Sequence, residues 1–522
     1  MAAQQPTAAV IGAGPAGLVA LKNLLEEGFN ATGFDRNPYV GGLWQYTEDD
    51  RTSVLQSTVV NISKERGCFT DFPYPEDVDS YPTAAEVQEY LVHYAEHFKL
   101  VPHLCLNATV RGIIHDDERQ QWAVEIEGKD TQYFDKLVLA IGGLTSLPNL
   151  PNVEGLELFK GVSVHSRAFK KPKQFEGKRV MVVGFGNTAA DTATALASVA
   201  QKVYIAHRNG ARVLPRHISG RPVDHALSLR LFTIQQWIIS SFPVFGTKMF
   251  DKFVKKLQDK SFKLRPEWGF EPPQVTPIVS DYLVDYLERG LIESVKGVKR
   301  ILGASQVELD DGKTLDVDVI IWCTGYKTDF SMLEPRFDPT SHSSSEWKAA
   351  SGSNGKQLLN LYHNVFSVEK PQSLAFLGNV HTTLAGFQLF DMASMAIAQV
   401  FKGASTLPPR PVLKSAVESH HTWLAEQASR RSNVSPGMVD GGVWMQAFDD
   451  LAGGRVNEYL GYGWKGWWFW LWNMKLCNML MGGVWSPHVH RFFDGKRRRW
   501  AGAGAAIEDM NRRRGAGTKK CV

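Results

Sequence analysis

The chain has 522 residues, 43% hydrophobic and 21% charged, an ordinary globular composition whose length suits two or three packed domains rather than one. A net charge of +4 is too small to demand a nucleic-acid partner, and none is expected. The five cysteines (Cys68, Cys105, Cys323, Cys477, Cys521) are scattered, odd in number and lack a C-x-x-C pair. That argues against a flavin disulfide reductase, which needs a close pair of redox cysteines, and predicts mostly free thiols in a reducing, intracellular setting. Met1 to Gln5 lacks the basic and apolar blocks of a secretory signal.

Ala8–Ile11 is an apolar run that predicts a buried parallel strand. Gly12-Ala13-Gly14-Pro15-Ala16-Gly17 follows, then helical periodicity from Leu18 to Glu27. Here Gly12 permits a tight turn, Gly14 lets a pyrophosphate approach the backbone, and Gly17 lets the helix pack on the strand. A second strand, Ala31–Phe34, ends in Asp35, eighteen residues past Gly17. An acid there accepts from a ribose hydroxyl and repels a 2′-phosphate, so the site suits FAD or NAD. In Val40-Gly41-Gly42-Leu43-Trp44 the paired glycines would let backbone lie against a flat ring or phosphate, or simply form a loop.

Lys178–Val183 predicts another strand, opening into Gly184-Phe185-Gly186-Asn187-Thr188-Ala189 and an alanine-rich helix through Ala200. The next strand, Lys202–Ala206, leads to Arg208, nineteen residues past Ala189. A guanidinium grips a phosphate bidentately, so this second site suits NADPH. Arg212 and Arg216 either add to that field or are ordinary surface arginines. Electrons should pass from NADPH at the second site to FAD at the first. No metal site is expected.

Further along, Leu231–Phe250 is too interrupted by Gln, Pro and Gly to span a membrane and is expected to shape a substrate entrance. Ser341–Gly355 reads as a Ser-rich surface loop. Gly378-Asn379-Val380-His381-Thr382-Thr383, after a strand at Leu374–Leu377, is a candidate lining of the flavin pocket. Between Gly463 and Trp485 stand six tryptophans: Trp464, Trp467, Trp468, Trp470, Trp472 and Trp485. With Lys465 and Lys475 among them, the stretch predicts either a membrane-interface contact through 463–499 or an aromatic platform on the first domain. The basic runs Lys496–Arg499 and Arg512–Arg514 would add attraction to anionic lipid. Lys519-Lys520-Cys521-Val522 has the shape of a dilysine retrieval signal, pointing to an endoplasmic reticulum or other membrane surface.

Over residues 6 to 507 the chain resembles the flavin-containing monooxygenases. Gly41-Gly42-Leu43-Trp44 is similar to the family's G-G-x-W segment, and Asn61-Ile62-Ser63-Lys64-Glu65 with Asp71-Phe72-Pro73 to its N-x-x-K-E and D-F-P stretches. Phe159-x-Gly161-x-x-x-His165-x-x-x-Phe169 resembles the linker before the NADP fold, and Cys323-Thr324-Gly325-Tyr326 the A-T-G-Y strand end. Pro487-x-x-x-Arg491 and Trp500-x-Gly502-Ala503 are similar to the C-terminal signature. Two departures are Ile141-Gly142-Gly143, where the family often has A-T-G, and Asp35 for the usual glutamate.

The resemblance implies an α/β fold with two Rossmann-like dinucleotide-binding domains, the NADP domain inserted into the FAD domain. The expected segments are 1–165 (FAD domain, first part), 166–324 (NADP domain), 325–460 (FAD domain, second part) and 461–522 (Trp-rich basic tail). It further implies an FAD-dependent NADPH monooxygenase, similar to the N,N-dimethylaniline monooxygenases. There a flavin C4a-hydroperoxide oxygenates a nucleophilic nitrogen or sulfur centre of a small molecule. The cofactor carries that chemistry, and the protein must orient it and exclude water. Alternatives are a Baeyer–Villiger enzyme acting on a ketone, disfavoured by Phe169-Lys170, or a peroxide-producing NADPH oxidase. Asn61 is the expected catalytic residue, because an amide donates a hydrogen bond without supplying an acidic proton. His165 is expected to link the two domains, either as a structural group or as a sensor of NADPH. The substrate and the oligomeric state stay open.

Overall fold

The computed structural model describes residues 5–143, 146–270, 277–431 and 433–516. Two separate, mainly parallel sheets organise it. The first uses β1 (Thr7–Ile11), β2 (Asn30–Phe34), β3 (Leu104–Cys105) and β4 (Lys136–Leu139). The second uses β5 (Val162–His165), β6 (Arg179–Val183), β7 (Lys202–His207), β8 (Ile292–Lys296) and β9 (Val319–Trp322). The chain then returns to the first sheet with β10 (Leu361–Tyr362), β11 (Phe366–Ser367) and β12 (Leu374–Phe376).

The strand orders are β10-β11-β12-β4-β1-β2-β3 and β8-β7-β6-β9-β5. In each, the apolar strand preceding the glycines lies in the interior: β1 between β4 and β2, β6 between β9 and β7. Ala8, Ala9, Val10, Val180, Met181 and Val182 are fully buried, as strands covered on both faces must be. One boundary differs from expectation. Val162–His165, assigned from sequence to the first FAD segment, pairs in parallel with β9 at the edge of the second sheet.

Helix α1 (Pro15–Glu26) follows β1, and α2 (Asn187–Leu196) follows β6. Pro15 at the first helical position suits α1, where its missing N–H costs nothing. Leu231–Phe250, expected to shape a substrate entrance, forms most of a helical hairpin, α3 (Leu229–Ser241) and α4 (Pro243–Ser261). The reading of Ser341–Gly355 as a loop needs correction. Within Ser341–Gly355, Ser344 caps a short helix and Trp347 is fully buried, its indole N–H donating to the Lys356 carbonyl at 2.6 Å. The serines of that window hid one apolar anchor, because composition averages over faces. Among the described residues, no helix is long and apolar enough to cross a membrane.

Candidate active site at two glycine turns

Each turn is built by the same steric device. Gly12 has φ +110°, and a Cβ on it would lie 2.4 Å from the Ala140 carbonyl oxygen at the end of the neighbouring strand. Gly184 has φ +127°, with the Cys323 carbonyl oxygen at the same 2.4 Å. A Cβ on Gly17 would sit 1.8 Å from the Gly12 oxygen. These glycines are required by the protein itself.

Gly14 and Gly186 are different. A Cβ on Gly14 would meet only Gly42 at 3.7 Å, and one on Gly186 meets nothing within 4 Å. Both are helix N-caps without a side-chain cap, and neither first turn carries an acid. Open space beside uncapped N–H groups is what a diphosphate needs, so the chain's own residues fit dinucleotides at both turns. Thr188 is exposed beside Gly186, whereas the Asn187 side-chain carbonyl already accepts from Val279 N at 3.0 Å.

Gly41 N donates to the Ala13 carbonyl at 2.9 Å, laying the short helical turn Gly42–Trp44 against the first glycine turn. Gly42 has φ +59°, and its Cβ would come 3.0 Å from Gly14 Cα. Leu43 accepts from Val54 N through its carbonyl, and Trp44 packs edge-on against Phe387. Asp35 at the end of β2 accepts from Ala13 N at 2.7 Å and Asn37 N at 2.8 Å. Burial nevertheless raises its carboxyl above the usual range. It therefore braces the turn, a role the sequence did not show.

Arg208 is exposed and has no carboxylate within ion-pair distance among the described residues. Arg212 and Arg216 do not share that exposure. Both are buried, Arg212 paired with Asp251 and Arg216 with Asp281, each at 2.9 Å. Neither is a surface arginine, and with their charge committed they add no free cation beside Arg208.

Asn61 is half-buried, and its Oδ1 accepts from Arg216 Nη2 at 3.3 Å. No hydrogen bond joins it directly to either glycine turn among the described residues. The neighbouring motif residues are structural. Lys64 donates to the carbonyls of Pro75, Glu76 and Val78, while Glu65 pairs with His225 at 3.3 Å.

At the crossover between the sheets, His165 Nε2 lies 2.9 Å from the Gly325 carbonyl and Nδ1 accepts from Arg167 N at 3.1 Å. Burial pushes its pKa down, so the ring is neutral with its proton on Nε2. The same Gly325 carbonyl accepts from Asn149 N at 2.9 Å, which pins both connecting strands at one point. Lys170 donates to Arg51 O and Ser53 Oγ.

Asn379 lies just past β12, within the segment singled out from sequence. It is 1% exposed, and neither its amide nitrogen nor its oxygen has a partner among the described residues. An orphaned buried amide at the carboxyl end of a parallel sheet stands where such folds receive ligands.

A flavin-binding monooxygenase-like family model matches residues 5–517. Monooxygenase aurF of Gibberella zeae is 42% identical over 515 residues, covering 97% of both chains. Flavin-containing monooxygenase 5 of Mus musculus is 31% identical over 469 residues, covering 86% of this chain and 83% of its own. The fold is shared with S-allyl-L-cysteine S-oxygenase from Allium sativum at a TM-score of 0.62 and 21% identity, covering 86% and 89% of the two chains. It is shared also with NADP+-bound cyclohexanone monooxygenase from Rhodococcus sp. Phi1 at 0.61 and 20%, covering 88% and 99%. Two parallel sheets with open glycine turns and near end-to-end similarity to flavin monooxygenases converge: the chain belongs to the flavin-binding monooxygenase-like family and is a flavin-dependent monooxygenase.

Proposed function

We propose that the protein binds FAD at the Gly12–Gly17 turn and NADPH at the Gly184–Thr188 turn, and oxygenates a nucleophilic nitrogen or sulfur centre of a small molecule. The carrying observation is the contrast behind the two turns: the half-buried carboxyl of Asp35 at one, and at the other the exposed Arg208, which has no carboxylate partner among the described residues. A 2′-phosphate is repelled by the first and matched by the second. Gly41–Trp44 and Asn379 would flank the flavin, which when bound and reduced supplies the electrons that activate O2. Around it, Asn61 offers an amide N–H that donates without being acidic, held by Arg216 through its oxygen.

Reducing the purified protein with NADPH under anaerobic conditions and then mixing with O2 tests the reading. A long-lived species spectrally distinct from reduced and oxidised flavin supports it. Direct return to oxidised flavin means an oxidase. Products heavier by one oxygen, screened over amines, sulfides and ketones, identify the acceptor; conversion of ketones alone would replace heteroatom oxygenation by Baeyer–Villiger chemistry. Asn61→Ala is expected to raise the peroxide yield per NADPH about tenfold or more while oxygenated product falls. Unchanged coupling would remove Asn61 from the site.

We also propose a peripheral contact with an anionic bilayer. Helix α5 (Trp464–Trp472) exposes Trp464, Trp467, Trp468, Leu471 and Trp472 to between 57% and 75%. It continues into α6 (Met474–Gly482), which packs on α3 and is joined to it by Arg230 and Asn478. The hairpin's Trp237, Val244 and Phe245 are exposed as well, with Lys475, Lys248 and Lys252 also at the surface. Apolar area of this kind with interspersed lysine suits a lipid headgroup layer. Within 463–499 two residues face inward instead: Trp485 is buried against Phe232, and Arg497 donates to three backbone carbonyls. The dilysine ending lies outside the described residues. Flotation with phosphatidylserine vesicles should carry the protein, and Trp468→Ser with Trp472→Ser should release it; protein left behind by such vesicles would refute the contact.

A further inference from the structure

Asn61 and the second glycine turn do not touch, yet a run of polar contacts connects them. The Asn187 side-chain carbonyl, in the first turn of α2, accepts from Val279 N at 3.0 Å. Two residues on, the Asp281 carboxylate accepts from Arg216 N and Nη1, both at 2.9 Å. The other edge of the same guanidinium faces the Asn61 segment. Its Nε donates to Val60 O at 2.9 Å, and Nη2 to Val59 O at 2.7 Å and Asn61 Oδ1 at 3.3 Å.

Arg216 is 7% exposed and its donors point two ways, so it is a hub rather than a surface charge. A guanidinium is planar and rigid: a shift of Asp281 on one edge turns the other edge with it. Asp191, one turn along α2, faces the same group; burial pushes its carboxyl up to about 6, against the pull of Arg216. Downstream, the segment is tied elsewhere. Ser63 N donates to Asp224 Oδ2 at 2.8 Å, and Arg66 Nη1 to the Asp224 carbonyl at 2.7 Å. These fasten residues 63–66, and Val60 N to the Pro82 carbonyl (3.0 Å) with Ala84 N to the Thr58 carbonyl (2.8 Å) fastens 58–60, so the Asn61 side chain between the two anchors is the part that follows Arg216.

We propose that Arg216 is a positioning residue through which a nicotinamide dinucleotide at the Gly184–Thr188 turn sets the orientation of the Asn61 amide. This rests on the reading of that turn as the NADPH site. A diphosphate arriving at the α2 N-terminus places negative charge beside Asn187, whose carbonyl grips the 278–279 strand. The displacement passes to Asp281, then to the fork, then to the oxygen of Asn61. The amide would be brought to its working orientation only with the nucleotide in place.

Hydrogen exchange followed by mass spectrometry on the flavin-loaded enzyme, with and without NADP+, tests this. In the wild-type protein, NADP+ should slow exchange about fivefold or more in peptides covering both 184–192 and 58–62. In Arg216→Lys and in the milder Asp281→Asn, protection at 184–192 should persist with a Kd within about threefold, while protection at 58–62 is lost. Arg212→Lys, whose partner is Asp251, should behave as wild type. Protection at 58–62 that survives in Asp281→Asn, or never appears in wild type despite protection at 184–192, overturns the relay. No protection at 184–192 in wild type overturns the nucleotide-site reading instead.

Discussion

Arg491→Ala is expected to destabilise the fold by roughly 3–5 kcal/mol, the cost of removing one partner from a buried charged cluster. Its side chain is 1% exposed and lies 2.9 Å from Glu26 and 3.4 Å from Asp71. It also donates to Asn23, to Thr70 Oγ1 and to the Arg498 carbonyl. Burial opposes ionisation of Asp71, but Lys22 and Arg491 outweigh it and hold the carboxyl below the usual range. Asp391, buried in the same cluster and close to Asp71, is pushed the other way. Without Arg491, the carboxyls of Glu26, Asp71 and Asp391 would be left with Lys22 as their buried cation. Because Lys22, Asn23 and Glu26 all lie on α1, the damage falls on the helix whose N-terminus forms the first glycine turn. The thermal midpoint should fall by about 10 °C and flavin should be lost with it. Arg498→Ala is the control: that side chain is 78% exposed and 4.0 Å from Glu26, so a change of no more than about 0.5 kcal/mol is expected. Equal midpoints for the two variants would show that Lys22 suffices.

The second large effect lies at the nucleotide turn. Gly186→Ala should leave the fold intact, since its Cβ meets nothing within 4 Å and its φ is −128°. The added methyl would occupy the space left for a diphosphate and displace charge-assisted hydrogen bonds worth about 1.5–3 kcal/mol each, weakening NADP+ by roughly 10- to 100-fold. Arg208→Ala should weaken NADPH by a similar factor with little change for NADH, because only the 2′-phosphate is affected. Gly17→Ala behaves differently: its Cβ would overlap the Gly12 oxygen, so soluble flavoprotein itself should be lost. Titration of NADP+ and NADPH against thermal midpoint separates these cases. Wild-type affinity in Gly186→Ala would refute the turn as a phosphate site, and an undiminished preference for NADPH in Arg208→Ala would refute that residue's role.

Much of this molecule is legible in one dimension because its key signals are local. A buried strand, a glycine turn and a helix start occupy a dozen consecutive residues, and the steric demand at Gly12 and Gly17 is met or failed within that stretch. The offset from Gly17 to Asp35 and from Ala189 to Arg208 spans one βαβ unit, so the charge behind each turn could be read by counting.

What counting could not reach is pairing across long separations. Arg212 and Arg216 look like companions of Arg208, but their carboxylates are Asp251 and Asp281, and Arg216 reaches back over about 155 residues to Asn61. The Asp71-Phe72-Pro73 and Arg491 motifs were separate marks in the sequence until folding put their charges 3.4 Å apart. The six tryptophans of the tail differ in fate for the same reason: Trp485 meets Phe232 and is buried, while Trp464 and Trp472 meet nothing that covers them. The sequence by itself determined the two turns and the sign of charge behind each, since both are set within one βαβ unit. Tertiary structure decided which charges were already neutralised and which aromatic faces were left bare, because burial and ion pairing depend on distance in space.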